Sequence, residues 1–160
     1  MSNLSANTTH CTNVDTDILI CNTGNVSVDM VIGTSATPSI SGLSISSNKL
    51  VISSGYSWLV ECHLSVYRSS GGIAGYVARW YNTTDSAYVG QEAVCTSNSS
   101  GLRYELRQTR KVCRALILAS DFGSNSTLTV YPRVTSETGS AALSLSSTYG
   151  EPCLKIVRIG

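Results

Sequence analysis

The chain has 160 residues, a net charge of +1, and only 13% charged residues. This length suits one domain. The balanced charge offers no basic surface for nucleic acid and no attraction to an anionic membrane. Hydrophobic residues make up 42% of the chain, which is enough to build a core. Ser, Thr, Val, Tyr and Gly are abundant while Lys and Glu are scarce, so we expect an all-β domain.

The first 42 residues differ from the rest of the chain. They begin without the basic start and apolar stretch of a signal peptide, so we expect synthesis in a cytoplasm. Residues 18–21 and 26–32 are short candidate strands, and residues 34–42 are a Ser/Thr/Pro/Gly linker. We expect this segment to be an arm that docks on another protein by adding a strand to its sheet. The apolar positions of this docking arm are Ile18, Ile20, Val26, Val28 and Ile32.

From residue 43 onward, apolar and polar residues alternate as they do in half-buried strands. Residues 43–45 and 50–52 predict two short strands around a Ser/Asn turn. Residues 56–66 predict a longer strand with Cys62 on its inner face. Residues 74–81 predict the next strand, and the Gly-rich connection between these two predicts an antiparallel hairpin.

The second half of the chain continues this pattern. Residues 82–86 predict a turn, because Asn and Asp side chains accept hydrogen bonds from nearby backbone. Residues 102–107 fit either a strand or one amphipathic helix, and the alternation in every neighbouring segment favours the strand. Residues 112–119 and the last strand, 153–159, are apolar on both faces, which a subunit interface would cover most simply. The residues predicted for the trimer interface or core are Tyr56, Trp58, Val60, Leu116, Leu118, Leu154 and Ile156.

No arrangement of residues indicates catalysis or a bound cofactor. His63 follows Cys62, and adjacent strand residues point to opposite faces, so these two side chains cannot form a catalytic dyad. The ten acidic residues are scattered, and no carboxylate pair stands out. No C-x-x-C pair occurs among the six cysteines, so a zinc site is not expected. We therefore expect no enzyme activity, no cofactor and no metal.

The wide spacing of the cysteines indicates small buried thiols rather than a disulfide framework. Cys11 and Cys21 are the one pair that we would test for a bridge after release into an oxidising medium.

One cluster of basic residues follows residue 102, and two roles remain open for it. It is either a solvated strand edge whose charges prevent edge pairing or a patch for an acidic sugar or acidic protein surface. Nucleic acid is the least favoured partner. The candidate partner patch consists of Arg103, Arg107, Arg110 and Lys111, with Arg114 beside it.

Two runs of residues resemble known families. The run Gly-Tyr-Ser-Trp-Leu-Val-Glu-Cys at residues 55–62 resembles the first Gly-aromatic strand of tumour necrosis factor-like jelly rolls and complement-type heads. The run Ala-Arg-Trp-Tyr-Asn-Thr-Thr-Asp-Ser at residues 78–86 and the apolar-basic run at 154–159 resemble small domains of tail fibres and other tailed-phage structural proteins. The resemblance covers residues 43–160.

The resemblance implies a jelly-roll sandwich that forms a homotrimer on the virion surface and has no catalytic role. On this basis residues 43–160 are the head, and residues 1–42 dock it on the capsid or on another virion protein. The expected function is that of a capsid decoration protein or head fibre. The alternative is the receptor-binding tip of a tail fibre, which contacts a host surface glycan through loops and aromatic residues. Neither role involves membrane insertion or nucleic acid.

Overall fold

The structure, a computed structural model, describes residues 14–20, 24–25, 38–63, 66–68, 74–97, 112–139, 143–145 and 153–160. These ranges contain twelve strands, one short 3-10 helix at Ala119–Phe122 and no α-helix, so the described chain is all-β as the composition predicted. The strands in chain order are β1 (Val14–Ile20), β2 (Gly24–Asn25), β3 (Leu43–Ser46), β4 (Lys49–Ser53), β5 (Ser57–His63), β6 (Val66–Arg68), β7 (Ala74–Asn82), β8 (Ala87–Ser97), β9 (Val112–Ile117), β10 (Thr127–Gly139), β11 (Leu143–Leu145) and β12 (Cys153–Ile159).

Nine of the strands form one antiparallel sheet in the order β1-β12-β5-β9-β8-β7-β10-β4-β3, and β2-β11-β6 form a small second sheet. The inner faces of strands from both ends of the large sheet contribute to a single buried cluster, so the sheet curls around its own core. The largest fully buried side chains are Trp58, Trp80, Phe122, Leu50, Ile52, Leu128, Leu154, Ile156 and Val60.

The two halves of the curled sheet meet between β8 and β9. Among the described residues, Gln91 opposite Arg114 is the one register pair that joins these two strands. Gly90 lies beside this junction with a φ of +73° and packs directly on the β9 backbone at Arg114 and Ala115. The junction is also tied from inside, because the buried Trp80 indole N–H on β7 donates to the Cys113 carbonyl on β9 at 2.9 Å. The close approach of the two strands therefore depends on a glycine and on a tryptophan.

The turn predicted at residues 82–86 is present. The Thr84 backbone N–H donates to Asn82 Oδ1 at 2.9 Å, and the Asn82 amide donates to Asp85 Oδ2 at 2.7 Å. These bonds close the hairpin between β7 and β8. The two short strands predicted upstream are also present as β3 and β4, and they form a hairpin through Ser47 and Asn48 at positive φ. Local turn chemistry therefore determines both hairpins.

The hairpin predicted between residues 56–66 and 74–81 is wrong. The neighbours of β5 are β12 and β9, whereas those of β7 are β8 and β10. Moreover, β5 ends at His63, and the residues after it enter the second sheet as β6, which pairs with β11. The prediction assumed that neighbouring strands in the sequence pair with each other. In this fold, β7 pairs with the strand that follows it, β8. Strand β5 instead pairs with β9 and β12, which lie much further along the chain.

The prediction of a separate docking arm is wrong for the part of residues 1–42 that forms β1. This strand pairs antiparallel with β12 of the same chain, which places Ile18 and Ile20 opposite Lys155 and Cys153. The Arg158 guanidinium forms an ion pair with the Asp15 carboxylate. The strand addition that was expected on a partner therefore takes place within the chain, because β1 covers the edge that β12 would otherwise expose.

The linker end of that segment also packs on the head. Ile40 is buried in the core cluster, and the Arg158 guanidinium donates to the Ser41 carbonyl at 2.8 Å. Val26, Val28 and Ile32 lie outside the described residues, and the domain boundary near residue 42 stays a prediction.

The chain itself covers only one face of residues 112–119, so a subunit interface on the other face stays a prediction. Strand β9 ends at Ile117, and the side chains along it alternate between buried and exposed. Cys113, Ala115 and Ile117 point into the core, whereas Arg114 and Leu116 point outward and are exposed. The run looked apolar on both faces because Leu116 and Leu118 occupy outward positions, whereas the apolar Ala115 and Ile117 occupy inward ones.

Candidate functional site

The outer face of strands β12, β5 and β9 carries a group of apolar side chains. Val157 on β12 lies opposite Leu59 on β5, and Leu59 lies opposite Leu116 on β9, so these three form a row across the sheet. Leu116 is 54% exposed and Leu118, just after β9, is 45% exposed. Ile159 continues the face along β12 and is half-buried. We call these five residues (Leu59, Leu116, Leu118, Val157 and Ile159) the outer leucine face.

A row of charged residues borders the outer leucine face. Lys155, Glu61 and Arg114 are aligned across β12, β5 and β9, one step along the strands from the leucine row. Arg114 Nε donates to Glu61 Oε1 at 2.5 Å, and this carboxylate is nearly buried although it points outward. The guanidinium is about half exposed, so we assign the pair little stability in the isolated chain. The Glu61–Arg114 pair is neutral, and Lys155 adds one positive charge to the row next to the apolar surface.

The predicted interface or core residues differ in how far they are buried. Trp58, Val60, Leu154 and Ile156 are fully buried in the core. Tyr56 is half-buried, with the Arg158 guanidinium 4.5 Å above its ring, whereas Leu116 and Leu118 are exposed. The predicted partner patch of Arg103, Arg107, Arg110 and Lys111 lies outside the described residues, so its role stays a prediction.

A second feature lies on the outer face of the other half of the sheet. Tyr88, Tyr81 and Tyr131 stand side by side on β8, β7 and β10. Their ring centroids are 5.0 Å and 5.8 Å apart, and the rings meet edge to face. Tyr131 is buried, whereas Tyr88 at one end is 40% exposed. We call these three residues the tyrosine row.

Cations surround the tyrosine row. Lys49 Nζ lies 4.4 Å from the centre of the Tyr131 ring, and the Arg133 guanidinium lies 4.8 Å from the centre of the Tyr81 ring. Arg79 Nε donates to the Gly90 carbonyl at 2.9 Å. Cation–π contacts of this kind stabilise the row and leave its outer surface both aromatic and positive.

The sequence reasoning did not select the tyrosine row as a site. The signal was present, because tyrosines occupy outward positions of three strands and Arg79 and Arg133 occupy further outward positions. It was not recognised because the alignment of the tyrosines requires knowing that β7 lies between β8 and β10.

The described residues contain no cluster of three or more His, Cys, Asp or Glu side chains arranged to hold a metal ion. Within the same part of the chain, no helix has the length and apolarity needed to cross a membrane.

Comparison with known proteins adds no family to this description. No protein-family model matches the chain, and no curated protein is significantly similar to it.

Proposed function

We propose that the chain is a non-enzymatic structural protein of a tailed-phage virion surface, and that it assembles as a homotrimer through the outer leucine face. In this proposal the curled antiparallel sheet is a jelly-roll sandwich. The observation that carries the assembly is the exposure of Leu116 and Leu118 next to Leu59 and Val157. Two neighbouring exposed leucines, beside the half-buried Leu59 and the buried Val157, favour an interface over a free surface.

The charge of the chain favours a second copy as the occupant of this face. A net charge of +1 produces almost no repulsion between identical subunits. At the border of the face, Glu61 and Arg114 compensate each other, and Lys155 leaves a single positive charge. In a closed ring of three copies, each copy contributes two different surfaces, and the outer leucine face is one of them. A stable interface of this type buries on the order of 1,600 Å² in total.

The trimeric stoichiometry and the virion location rest on the resemblance of residues 55–62 and 78–86 to phage and tumour necrosis factor-like heads. The second of these runs forms the end of β7 and the Asn82 turn, so its polar residues serve the hairpin. Sequence likeness in a turn supports the fold more than the function. The location on the particle therefore needs its own experiment.

The assembly is tested by replacing Leu116 with glutamate. The variant would bury an unpaired carboxylate in each interface, which costs several kcal/mol, and we expect the trimer to dissociate to folded monomers at micromolar concentration. Light scattering after size-exclusion chromatography measures the mass, and circular dichroism checks that the strands remain.

The matched control is Ser44→Glu, which adds the same charge at an exposed position of strand β3, at the far edge of the sheet. This variant is expected to remain trimeric. A Leu116→Glu variant with the trimer mass, or a Ser44→Glu variant that dissociates equally, would rule out the outer leucine face as the interface.

The tyrosine row favours a second candidate function, the receptor-binding tip of a tail fibre. The exposed ring of Tyr88 can pack against the apolar side of a sugar. Lys49 and Arg79 lie near the row, and no ion pair joins either to a described carboxylate. Both cations could therefore bind the carboxylate of an acidic sugar. The same chemistry also serves protein contacts, in which Tyr and Arg are enriched.

Antibodies against the chain distinguish the two locations on purified particles. Under the leading proposal, electron microscopy places the label on the capsid. Label confined to the tail tip would support the receptor-binding function instead. Particles that carry the chain in neither place would contradict the virion proposal as a whole.

A further inference from the structure

Two cysteines face each other in the core. Cys62 on β5 and Cys113 on β9 are direct register partners in an antiparallel pair, and both belong to the buried cluster. Cys62 is 2% exposed and Cys113 is 0% exposed. No disulfide joins the two sulfur atoms in the structure. Directly opposed residues in antiparallel strands have their side chains on the same side of the sheet and their Cα atoms about 4.5–5.5 Å apart.

The general Cα spacing of such pairs lies within the range found for disulfides. Disulfides join residues whose Cα atoms are about 4.4–6.8 Å apart, and both types of opposed antiparallel pair fall within that range. The pair that the sequence analysis named for a test was Cys11 and Cys21. Cys62 and Cys113 are far apart in the sequence, and only the pairing of β5 with β9 brings them together.

We propose that Cys62 and Cys113 form a cross-strand disulfide when the protein meets an oxidising medium. A disulfide oxidant such as oxidised glutathione supplies the reaction. The thiolate of one cysteine attacks a glutathione sulfur and releases one reduced glutathione. The thiolate of the other cysteine then attacks the mixed disulfide and releases the second. Two protein thiols are oxidised to one disulfide, and one oxidised glutathione becomes two reduced ones.

Burial determines when this reaction takes place. An oxidant cannot reach either sulfur in the closed core, so the exchange begins while β9 is locally open or before the chain has finished folding. In a reducing cytoplasm the pair stays as thiols, and after release it is exposed to oxidising conditions. This timing rests on the proposed virion function, but the bond itself does not.

The bond would stabilise the strands that carry the outer leucine face. Leu59 is on β5 and Leu116 is on β9, and these residues are themselves register partners. A covalent tie between the two strands would hold the assembly surface in its folded arrangement outside the cell. Because the closed loop is long, the thermal midpoint is expected to rise by about 5 °C or more.

The test uses the full chain, unfolded with reductant and refolded in a buffer of reduced and oxidised glutathione. Remaining thiols are alkylated, and trypsin digestion is followed by mass spectrometry. Trypsin cuts after Lys49, Arg68, Lys111 and Arg114, so Cys62 and Cys113 fall in separate peptides that contain no other cysteine. We expect one species joining residues 50–68 to residues 112–114, with two hydrogen atoms fewer than the separate peptides. Finding both peptides alkylated, or either one joined to another cysteine or to glutathione, would overturn the inference.

Two variants and the fluorescence of Trp80 provide independent tests of the bond. Cys113→Ala should remove both the joined species and the rise in thermal midpoint, whereas Cys95→Ala should leave both unchanged. Trp80 donates its indole hydrogen bond to the Cys113 carbonyl, so a disulfide formed there is expected to quench its fluorescence. The oligomeric mass is measured on the same samples. A trimer without the bond refutes this inference alone, and a bonded monomer refutes the proposed assembly alone.

Discussion

Replacing Gly90 with alanine is expected to lower the free energy of unfolding by about 3 kcal/mol or more. A Cβ atom at this position would collide with the Arg114 carbonyl oxygen and lie 2.5 Å from Ala115 Cα. Both are backbone atoms of β9, so relief requires moving β9 away from β8 at the junction of the two sheet halves. The φ of +73° adds the cost of a left-handed conformation.

Gly55→Ala is the control for this variant. Gly55 has a φ of +89°, but a Cβ atom there would meet nothing within 4 Å, so only the conformational cost of about 1 kcal/mol applies. Urea unfolding measures both variants, with an unchanged denaturant slope as the condition for comparing midpoints. Equal losses for the two variants would show that the junction does not depend on the close approach at Gly90.

Replacing Trp80 with alanine is expected to cost about 4 kcal/mol of stability. The side chain is fully buried, and it joins β7 to β9 through the indole hydrogen bond to the Cys113 carbonyl. The variant loses this bond and leaves a large cavity between the halves of the sheet. Trp80→Phe retains most of the volume and should lose less, so it remains measurable if the alanine variant does not fold.

Tyr88→Ala is the comparison for Trp80. It removes an aromatic ring from the neighbouring strand β8, but from the outer face, where the ring is 40% exposed. We expect it to cost about 1 kcal/mol, mainly through its edge-to-face contact with Tyr81. If chemical denaturation gave the same loss for Tyr88→Ala as for Trp80→Ala, the core would not depend on Trp80 as the structure indicates.

Alternation and turn chemistry were sufficient to predict the inner face of β5 and the turn that follows β7. Trp58, Val60 and Cys62 alternate along β5 and are all buried. The turn at Asn82 was predicted from the tendency of its side chain to bond to the backbone, and it does bond to Thr84. These features depend on residues close together in the chain, so they can be predicted from the local sequence.

Pairing between distant strands could not be predicted in this way. The partners of β5 are β9 and β12, which follow it after long intervals. Strand β1, at the edge of the sheet, pairs with β12 from the other end of the chain. Alternation identifies which face of a strand is apolar but not which strand lies beside it. The opposition of Cys62 and Cys113 and the alignment of the tyrosine row both depend on that missing information.

Two residues of the outer leucine face, Leu116 and Leu118, were predicted as trimer interface or core for a reason that the structure changes. Leu116 and Leu118 were selected because their strand looked apolar on both faces. In the structure, one face is covered by the core of the chain, and the leucines project from the other. Two-sided apolarity in β9 therefore indicates surface that the single chain does not bury.

Sedimentation equilibrium of the unmodified full-length chain across micromolar concentrations tests the central claim most directly. Assembly through the outer leucine face predicts one species with three times the mass of the chain, which dissociates only on dilution well below that range. A stable monomer throughout the series would contradict the claim, because Leu116 and Leu118 would then remain exposed to water in the native state.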